Sequence, residues 1–417
     1  MRMHIVFSFA LGCQVTAHDG FAQELVAPIR PLGAPVASSQ ATFSDDVDVR
    51  ETSRGLLVYD RVGRRLVLLD SALAEVRVIA DTTEATGRRH GRFTGRLMAF
   101  LGDSSLFVDP AAEAIHVLDG AGELARTMAS PLGSHMSALV SGAPPGFDGS
   151  RLVYRIGTGA RTGASSSVRS GNTPQRSNDS VLVVRVGLTD GTVDTVTTLY
   201  RPSPHTFVSF RASPPSIRVG PVNPQDRVDV WTMLADGSVA VLRGEDYHLE
   251  LFTPAGARMV RPRVPFEWQR LTDAGKEAYL DSLQAAQERR RKAENAHPER
   301  TWGSTEMREV ARRSNKADRE IDVPGVDYHF VGPRELPDYR RAFGRGSVMG
   351  DARGNVWVEV QLPGAPDGRV YDVLDASGKR VDRVALPPKR KLVGFGTQSA
   401  FALAGTGDSR HIERFDP

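Results

Sequence analysis

Residues 226–266 constrain the fold of this chain more than any other stretch. Four short runs, over 227–234, 238–243, 247–252 and 259–264, are rich in Val, Leu, Tyr, Phe and Trp. They are separated by Ala235-Asp236-Gly237, Gly244-Glu245-Asp246 and Pro254-Ala255-Gly256, which is turn chemistry rather than helix capping. Val239, Val241, Tyr247, Leu249 and Leu251 recur at the period of two expected of strands. A four-stranded antiparallel sheet of about forty residues cannot bury both of its faces alone, so it demands neighbours of the same kind. The stretch has the form of one propeller blade.

The rest of the chain supplies the others. A first blade is predicted over 47–50, 56–60, 65–70 and 75–79, and a second over 97–101, 105–109, 115–119 and 124–128. The two match in register: Asp60 and Asp109 end one strand, Asp70 and Asp119 the next, and their carboxylates are expected to accept backbone N–H groups in the turns. A third blade has strands over 151–156, 181–188 and 193–200. It is stretched by residues 157–178, rich in Gly, Ser, Thr and Arg, which are expected to form a flexible hairpin extension. The connection 201–225 leads to the fourth blade, at 226–266. A fifth follows over 347–351, 356–361, 370–375 and 381–386. The sixth has three strands, 391–396, 399–404 and 411–415, and residues 24–31 are expected to add its outer strand and close the ring. The fold class is all-β, a six-bladed propeller with a helical insertion between blades four and five.

That insertion covers 267–342. Thr272 is the predicted N-cap of a helix running to Glu294, with Asp273 and Glu277 near its first turn and Tyr279, Leu280 and Leu283 as one apolar stripe. A weaker helical pattern surrounds Met307 and Val310. The basic run Arg289-Arg290-Arg291-Lys292 suggests an anionic partner, but residues 267–322 hold 12 basic and 12 acidic side chains, so a solvated helix face is the better account.

Residues 1–22 resemble a signal peptide: Arg2, an apolar run from Ile5 to Leu11, and small residues Gly20 and Ala22 before the expected cleavage. An alternative is Ala10-Leu11-Gly12-Cys13, a lipobox-like stretch in which Cys13 would carry lipid. Cys13 is the only cysteine, so cleavage after Ala22 leaves no disulfide and no thiol site. The mature chain, residues 23–417, has no run apolar enough to span a bilayer. Lys and Arg number 53 against 50 Asp and Glu, and no cluster interleaves basic with aromatic residues, which argues against nucleic acid. A monomer, periplasmic or secreted, is expected.

Beyond this, the chain resembles exported six-bladed propellers of the NHL and TolB-like kind. The resemblance rests on Gly55-Leu-Leu-Val-Tyr-Asp60, Gly102-Asp-Ser-Ser-Leu-Phe-Val-Asp109, Asp236-Gly-Ser-Val-Ala-Val-Leu-Arg-Gly-Glu-Asp-Tyr247, Gly354-Asn-Val-Trp-Val358 and Val393-Gly-Phe-Gly396. It includes the entrance and exit of the insertion, Pro265-Phe-Glu-Trp-Gln-Arg-Leu-Thr272 and Leu336-Pro-Asp-Tyr339. The Gly-Pro-Gly-Glu-Phe frequent in this subgroup is degenerate here, as Arg89-His-Gly-Arg-Phe93. The resemblance implies fold and leaves activity open, because propellers host many functions.

In propellers, ligand sites lie on the face made by connections between blades and by the loops joining second and third strands. His90, His135 and His205 fall in three successive connections and are candidates for ligand contact. Three imidazoles could hold zinc or act as acid and base, but no HxH or HxxxH spacing supports a metal. Arg211, Trp268, Tyr339 and Arg341 are the remaining candidates, forming a cation-lined entrance suited to anionic or peptidic ligands. Lactonase relatives of the architecture use a Glu, an Asn and an Asp around a central calcium, which makes calcium the cofactor to test. Asp45, Asp46, Asp351 and Asn355 lie near inner-strand ends but sit in no Asp-rich ligand loop. No GxSxG, Walker, HExxH or cysteine-based motif occurs. The expectation is a non-enzymatic propeller binding a ligand or protein partner on its loop face, the competing class being a calcium-dependent hydrolase such as a lactonase.

Overall fold

The computed structural model describes residues 28–81, 95–110, 112–129, 136–140, 144–157, 179–202, 206–209, 216–296, 326–363, 368–407 and 409–416. Six antiparallel sheets follow one another along the chain and form a six-bladed β-propeller. Blade I comprises Val47–Thr52, Gly55–Asp60, Arg65–Leu69 and Glu75–Ala80. Blade II comprises Arg96–Ala99, Ser105–Asp109, Ala114–Leu118 and Leu124–Ala129. Blade III is Gly146–Phe147, Arg151–Gly157, Ser180–Gly187 and Val193–Tyr200, and blade IV is Val230–Met233, Val239–Arg243, His248–Phe252 and Arg258–Arg263. Blade V runs through Phe343–Gly350, Val356–Val360, Val370–Leu374 and Arg380–Ala385. Blade VI has Arg390–Phe395, Ala400–Ala404 and His411–Phe415, with Ala37–Ser38 as its fourth strand.

The first strand of each blade is innermost. Val47–Thr52 packs against both Arg96–Ala99 and Arg390–Phe395, and Val230–Met233 against Phe343–Gly350. Between blades III and IV, Gly146 lies so close to the Met233 side chain that any Cβ at residue 146 would overlap it. The core is six hydrophobic clusters, one at each blade interface. Alternation along a strand therefore selects the neighbour rather than inside from outside. Leu56 and Val58 pack toward blade VI, while Leu57 and Tyr59 pack toward blade II. Likewise Val239 and Val241 face blade III, and Ala240 and Leu242 face blade V. Both faces of the middle strands are dry, which is why they are near-continuously apolar.

The turn aspartates act as expected. The Asp70 carboxylate accepts the N–H groups of Ala72 and Ala74 at 2.8 and 2.9 Å, and Asp119 those of Ala121 and Glu123 at 2.9 and 2.7 Å. Asp60 accepts from Gly63 at 2.8 Å and Asp109 from Ala112 at 3.3 Å.

Ring closure uses a different segment from residues 24–31. Ala37 and Ser38 pair antiparallel with Arg414 and Glu413, completing blade VI as three strands plus one. The flanking N–H groups of Val36, Ser39 and Phe43 donate to the carbonyls of Arg414, Ile412 and Arg410, each at 2.8 Å. Arg30–Pro31 instead pairs parallel with Val384 and Ala385, adding a fifth strand to blade V. The reason is that outer strands here carry no burial signal: Leu124–Ala129 and Arg258–Arg263 are mostly exposed. An apolar stretch was thus the wrong marker for the closing strand. Residues 1–22, 24–27 and 158–178 lie outside the described residues.

The connection after blade III and the insert after blade IV are joined by a small third kind of sheet. Thr206–Ser209 and Ser216–Val222 form a hairpin, and Ser216–Val222 pairs parallel with Val326–Phe330 of the insert. Among the described residues no helix is long and apolar enough to cross a membrane.

Candidate functional site

The chain folds back on itself where the insert leaves and rejoins the propeller. Leu271 N–H donates to Asp338 O at 2.7 Å, Arg340 N–H to Gln269 O at 2.9 Å, and Arg270 and Tyr339 form an antiparallel bridge. The entrance strand is fastened to blade V: Arg380 donates to Pro265 O at 2.9 Å, and Arg383 to the Glu267 carboxylate at 3.1 Å. The exit is fastened to the connection after blade III. Arg341 N–H donates to Gln225 Oε1 at 3.2 Å, its Nη1 to Asp226 O at 3.3 Å, and Asn223 Nδ2 to Glu335 O at 3.4 Å.

The helix Asp273–Ala296 stands on this base. Thr272 caps it, its Oγ1 accepting from Gly275 N–H at 3.1 Å. One stripe is turned inward: Lys276 and Leu280 are buried, and Tyr279, Leu283 and Gln287 are half-buried. Lys276 Nζ donates to Asp338 at 2.7 Å, Gln287 Nε2 to Asp327 at 2.8 Å, and Arg340 lies 5.5 Å over the Tyr279 ring. The stripe is more polar than its three apolar residues suggested. The pattern around Met307 and Val310 lies outside the described residues.

Of the candidate side chains, Trp268 and Tyr339 both lie on this base and are exposed, at 39% and 51%. Trp268 ends an aromatic ladder. Its ring stands edge-on to Phe266 at 5.3 Å, and Phe266 edge-on to Tyr247 at 5.5 Å. Arg341 is half-buried and structural in part, through its bonds to Gln225 and Asp226. Arg211, His90, His135 and His205 lie outside the described residues.

Sequence reasoning missed the arginines grouped with Arg341. Arg155 lies near the end of the second strand of blade III, Arg201 directly follows the fourth, and Arg345 sits in the first strand of blade V. Arg345 is carried on a bulge: Phe343 pairs with Val360 and Val348 with Val358, so residues 344–347 have almost no partner. Gly346 takes φ +71° there, and Ser347 Oγ donates to Gly344 O at 2.6 Å. The bulge delivers Arg345 Nη2 to Pro202 O, beside Arg201. Burial, and then the charge of Arg345, lower the Arg155 guanidinium. Burial, and then Arg155 and Arg345, push Arg201 down to about 10. Burial also lowers Arg341, with Arg345 contributing, while burial and nearby Asp179 raise Asp226. The signal available in sequence was Gly344-Arg345-Gly346, two glycines inside a strand pattern.

Asp46 and Asp351, two of the oxygen donors named above, do not fit a calcium site. Asp46 pairs with Arg61 at 2.5 Å. Asp351 spends its carboxylate on the N–H groups of Arg353 and Asn355, on Asn355 Nδ2 at 2.9 Å and on Trp357 Nε1 at 3.0 Å. Asp351 and Asn355 also sit in the turn after the first strand of blade V, at the opposite end from the connections between blades. Among the described residues no three His, Cys, Asp or Glu side chains gather as a metal site. On that opposite face a groove of about 180 Å³ opens between blades V and VI, lined by Asn355, Trp357, Asp382, Phe395 and Thr397.

Three solved structures are similar to the chain over most of its length. A calcium-binding protein, regucalcin, of Agrobacterium tumefaciens is 12% identical over 94% of this chain and 97% of its own, with a TM-score of 0.36. A gluconolactonase of Xanthomonas campestris is 12% identical over 91% and 88%, at 0.37. A virginiamycin B lyase of Staphylococcus aureus is 7% identical over 90% and 97%, also at 0.37. No family model and no curated protein matches the sequence.

Proposed function

We propose that this chain is an exported propeller of the NHL and TolB-like kind that binds a ligand or partner on the face of its interblade connections. The observation supporting this is the laced base of the insert. Two interblade connections and blade V are tied together by main-chain and side-chain bonds, yet Trp268 and Tyr339 stay exposed upon this base. A rigid platform presenting an aromatic pair costs little ordering on binding, and aromatic side chains are the usual anchors of recognition. Phe266, two residues before Trp268, is buried, so the platform already has its packing residue. The helix Asp273–Ala296 overhangs as a wall.

The test is tryptophan fluorescence of the purified protein titrated with neutral sugars, peptides, oxyanions and lactones, with Trp268→Phe as the blank. A saturable change lost in Trp268→Phe and weakened in Tyr339→Ala supports the reading. Lactone hydrolysis abolished by EDTA, with no response dependent on Trp268, replaces it with the calcium-dependent hydrolase. Such an enzyme would need donors other than Asp46 and Asp351, which are committed elsewhere.

A further inference from the structure

We propose that Arg155, Arg201, Arg341 and Arg345 form a binding site for an oxyanion carrying two or more negative charges, a phosphate or sulfate group. The inference deepens the reading above, since it names the chemistry of a ligand held on the same face.

Its basis is uncompensated charge in a built location. The side chains of Arg155 and Arg201 make no hydrogen bond or ion pair among the described residues, and Arg155 Nη1 is buried without a partner. Elsewhere in this protein buried guanidiniums are paired: Arg96 with Asp48, Arg185 with Asp148, Arg383 with Asp372. Burying a cation without a counter-charge is costly. The nearby carboxylates are Asp179 and Asp226, two against four guanidiniums, which leaves a net positive group. Among the described residues flanking Arg155 and Arg201, 149–157 and 195–202 contain neither Asp nor Glu. The bulge at 344–347 is the second observation. It sets Arg345, exposed, over Pro202 and so turns an inner-strand residue toward blade III. Guanidinium forks suit phosphate and sulfate oxygens in two-point contacts, which a single lysine cannot make.

The experiment is calorimetric titration of the intact protein with inorganic pyrophosphate and, separately, with a sulfated disaccharide. Binding is expected for at least one, weakening as salt rises from about 10 mM to about 1 M, where the screening length falls from about 30 Å to about 3 Å. Arg345→Glu, an exposed change that keeps the thermal transition, should weaken binding by about tenfold to a hundredfold, as loss of a charge-assisted pair does. Arg155→Gln should act in the same direction. Arg353→Glu, the same charge change on the opposite face, should leave affinity within about twofold. Pyrophosphate binding alone identifies phosphate as the group, and sulfated-sugar binding alone identifies sulfate; either supports the site. The proposal is overturned if neither anion binds, or if Arg353→Glu weakens binding as much as Arg345→Glu. A Trp268-dependent response to an uncharged compound, with no anion bound, would overturn this inference and leave the broader reading standing.

Discussion

Tyr247 of blade IV donates its hydroxyl to Asp372 of blade V across 3.1 Å, and both side chains are wholly buried. Asp372 also accepts from Arg383 Nε at 2.6 Å, and Arg380 stands 3.7 Å away. Arg383 reaches on to Glu267 at the base of the insert. Burial first, then the Asp372 charge, push the Tyr247 phenol well above its ordinary range, so it remains a donor. One dry acid therefore joins two blades to the insert. Tyr247→Phe should cost about 1 kcal/mol, the net worth of one hydrogen bond. Asp372→Ala should cost about 3–5 kcal/mol by removing the buried carboxylate shared by Arg383, Arg380 and the Tyr247 hydroxyl. Urea unfolding followed by far-ultraviolet dichroism reads both, and equal costs would contradict the network.

Closure makes a prediction about the amino-terminal segment. Among the described residues, removal through 31 takes away the parallel addition to blade V and the Arg30–Asp382 pair at 2.9 Å, both at the surface. Removing residues through 39 also opens blade VI and bares the edge of His411–Phe415. The longer truncation should lower Tm by several degrees more, on the order of 4 °C or above for each kcal/mol lost in a small domain and less in a chain of this length. Equal midpoints would contradict the assignment of Ala37–Ser38 as the closing strand.

Blade IV carries a pH-sensitive clamp. Burial alone would raise Glu250, but hydrogen bonds from Arg243 and Arg258, each at 2.7 Å, outweigh it and hold the carboxyl at about 2. A depressed folded pKa stabilises the fold above the unfolded value of 4.5, and that contribution is lost as pH falls from about 4.5 toward 2. Allowing for solvent screening, about 1–2 kcal/mol should disappear across this window. Glu250→Gln should be less stable at neutral pH and should flatten the slope in that window, as measured by unfolding at stepped pH.

Trp268, Tyr339 and Arg341 should separate into binding and packing residues. Tyr339→Ala should change stability by no more than about 0.5 kcal/mol, as exposed sites do. Trp268→Ala should cost up to about 1.5 kcal/mol through its contact with Phe266. Arg341→Ala should cost more than Tyr339→Ala, because it frees Asp226 O and loosens the exit of the insert. Thermal melts beside the fluorescence titration distinguish loss of a contact from loss of the platform.

Export is open to a direct check. The expected product of cleavage after Ala22 begins at Gln23, whereas the lipobox alternative begins at a lipid-modified Cys13. Intact mass of the processed chain tells them apart, and a mass that retains Met1 would exclude both.

Apart from the first strand of blade III and the outer strand of blade VI, the blade count, the strands within each blade and the turns between them were legible from residues alone. Their signals are local: Asp236-Gly237 turns its own chain, and Asp70 binds N–H groups two and four residues on. Thr272 announced the helix for the same reason, since a cap acts within one turn. Only the tertiary structure decided which segment closes the ring, because a solvated outer strand such as Ala37–Ser38 needs no apolar pattern to pair. It also decided that 216–222 would join 326–330, a pairing across more than a hundred residues that no neighbouring residue encodes. The arginine group belongs to the same category. Arg155, Arg201 and Arg345 are ordinary strand and loop residues in sequence, and their meaning arises from being brought together with fewer acids than guanidiniums, which is a property of packing.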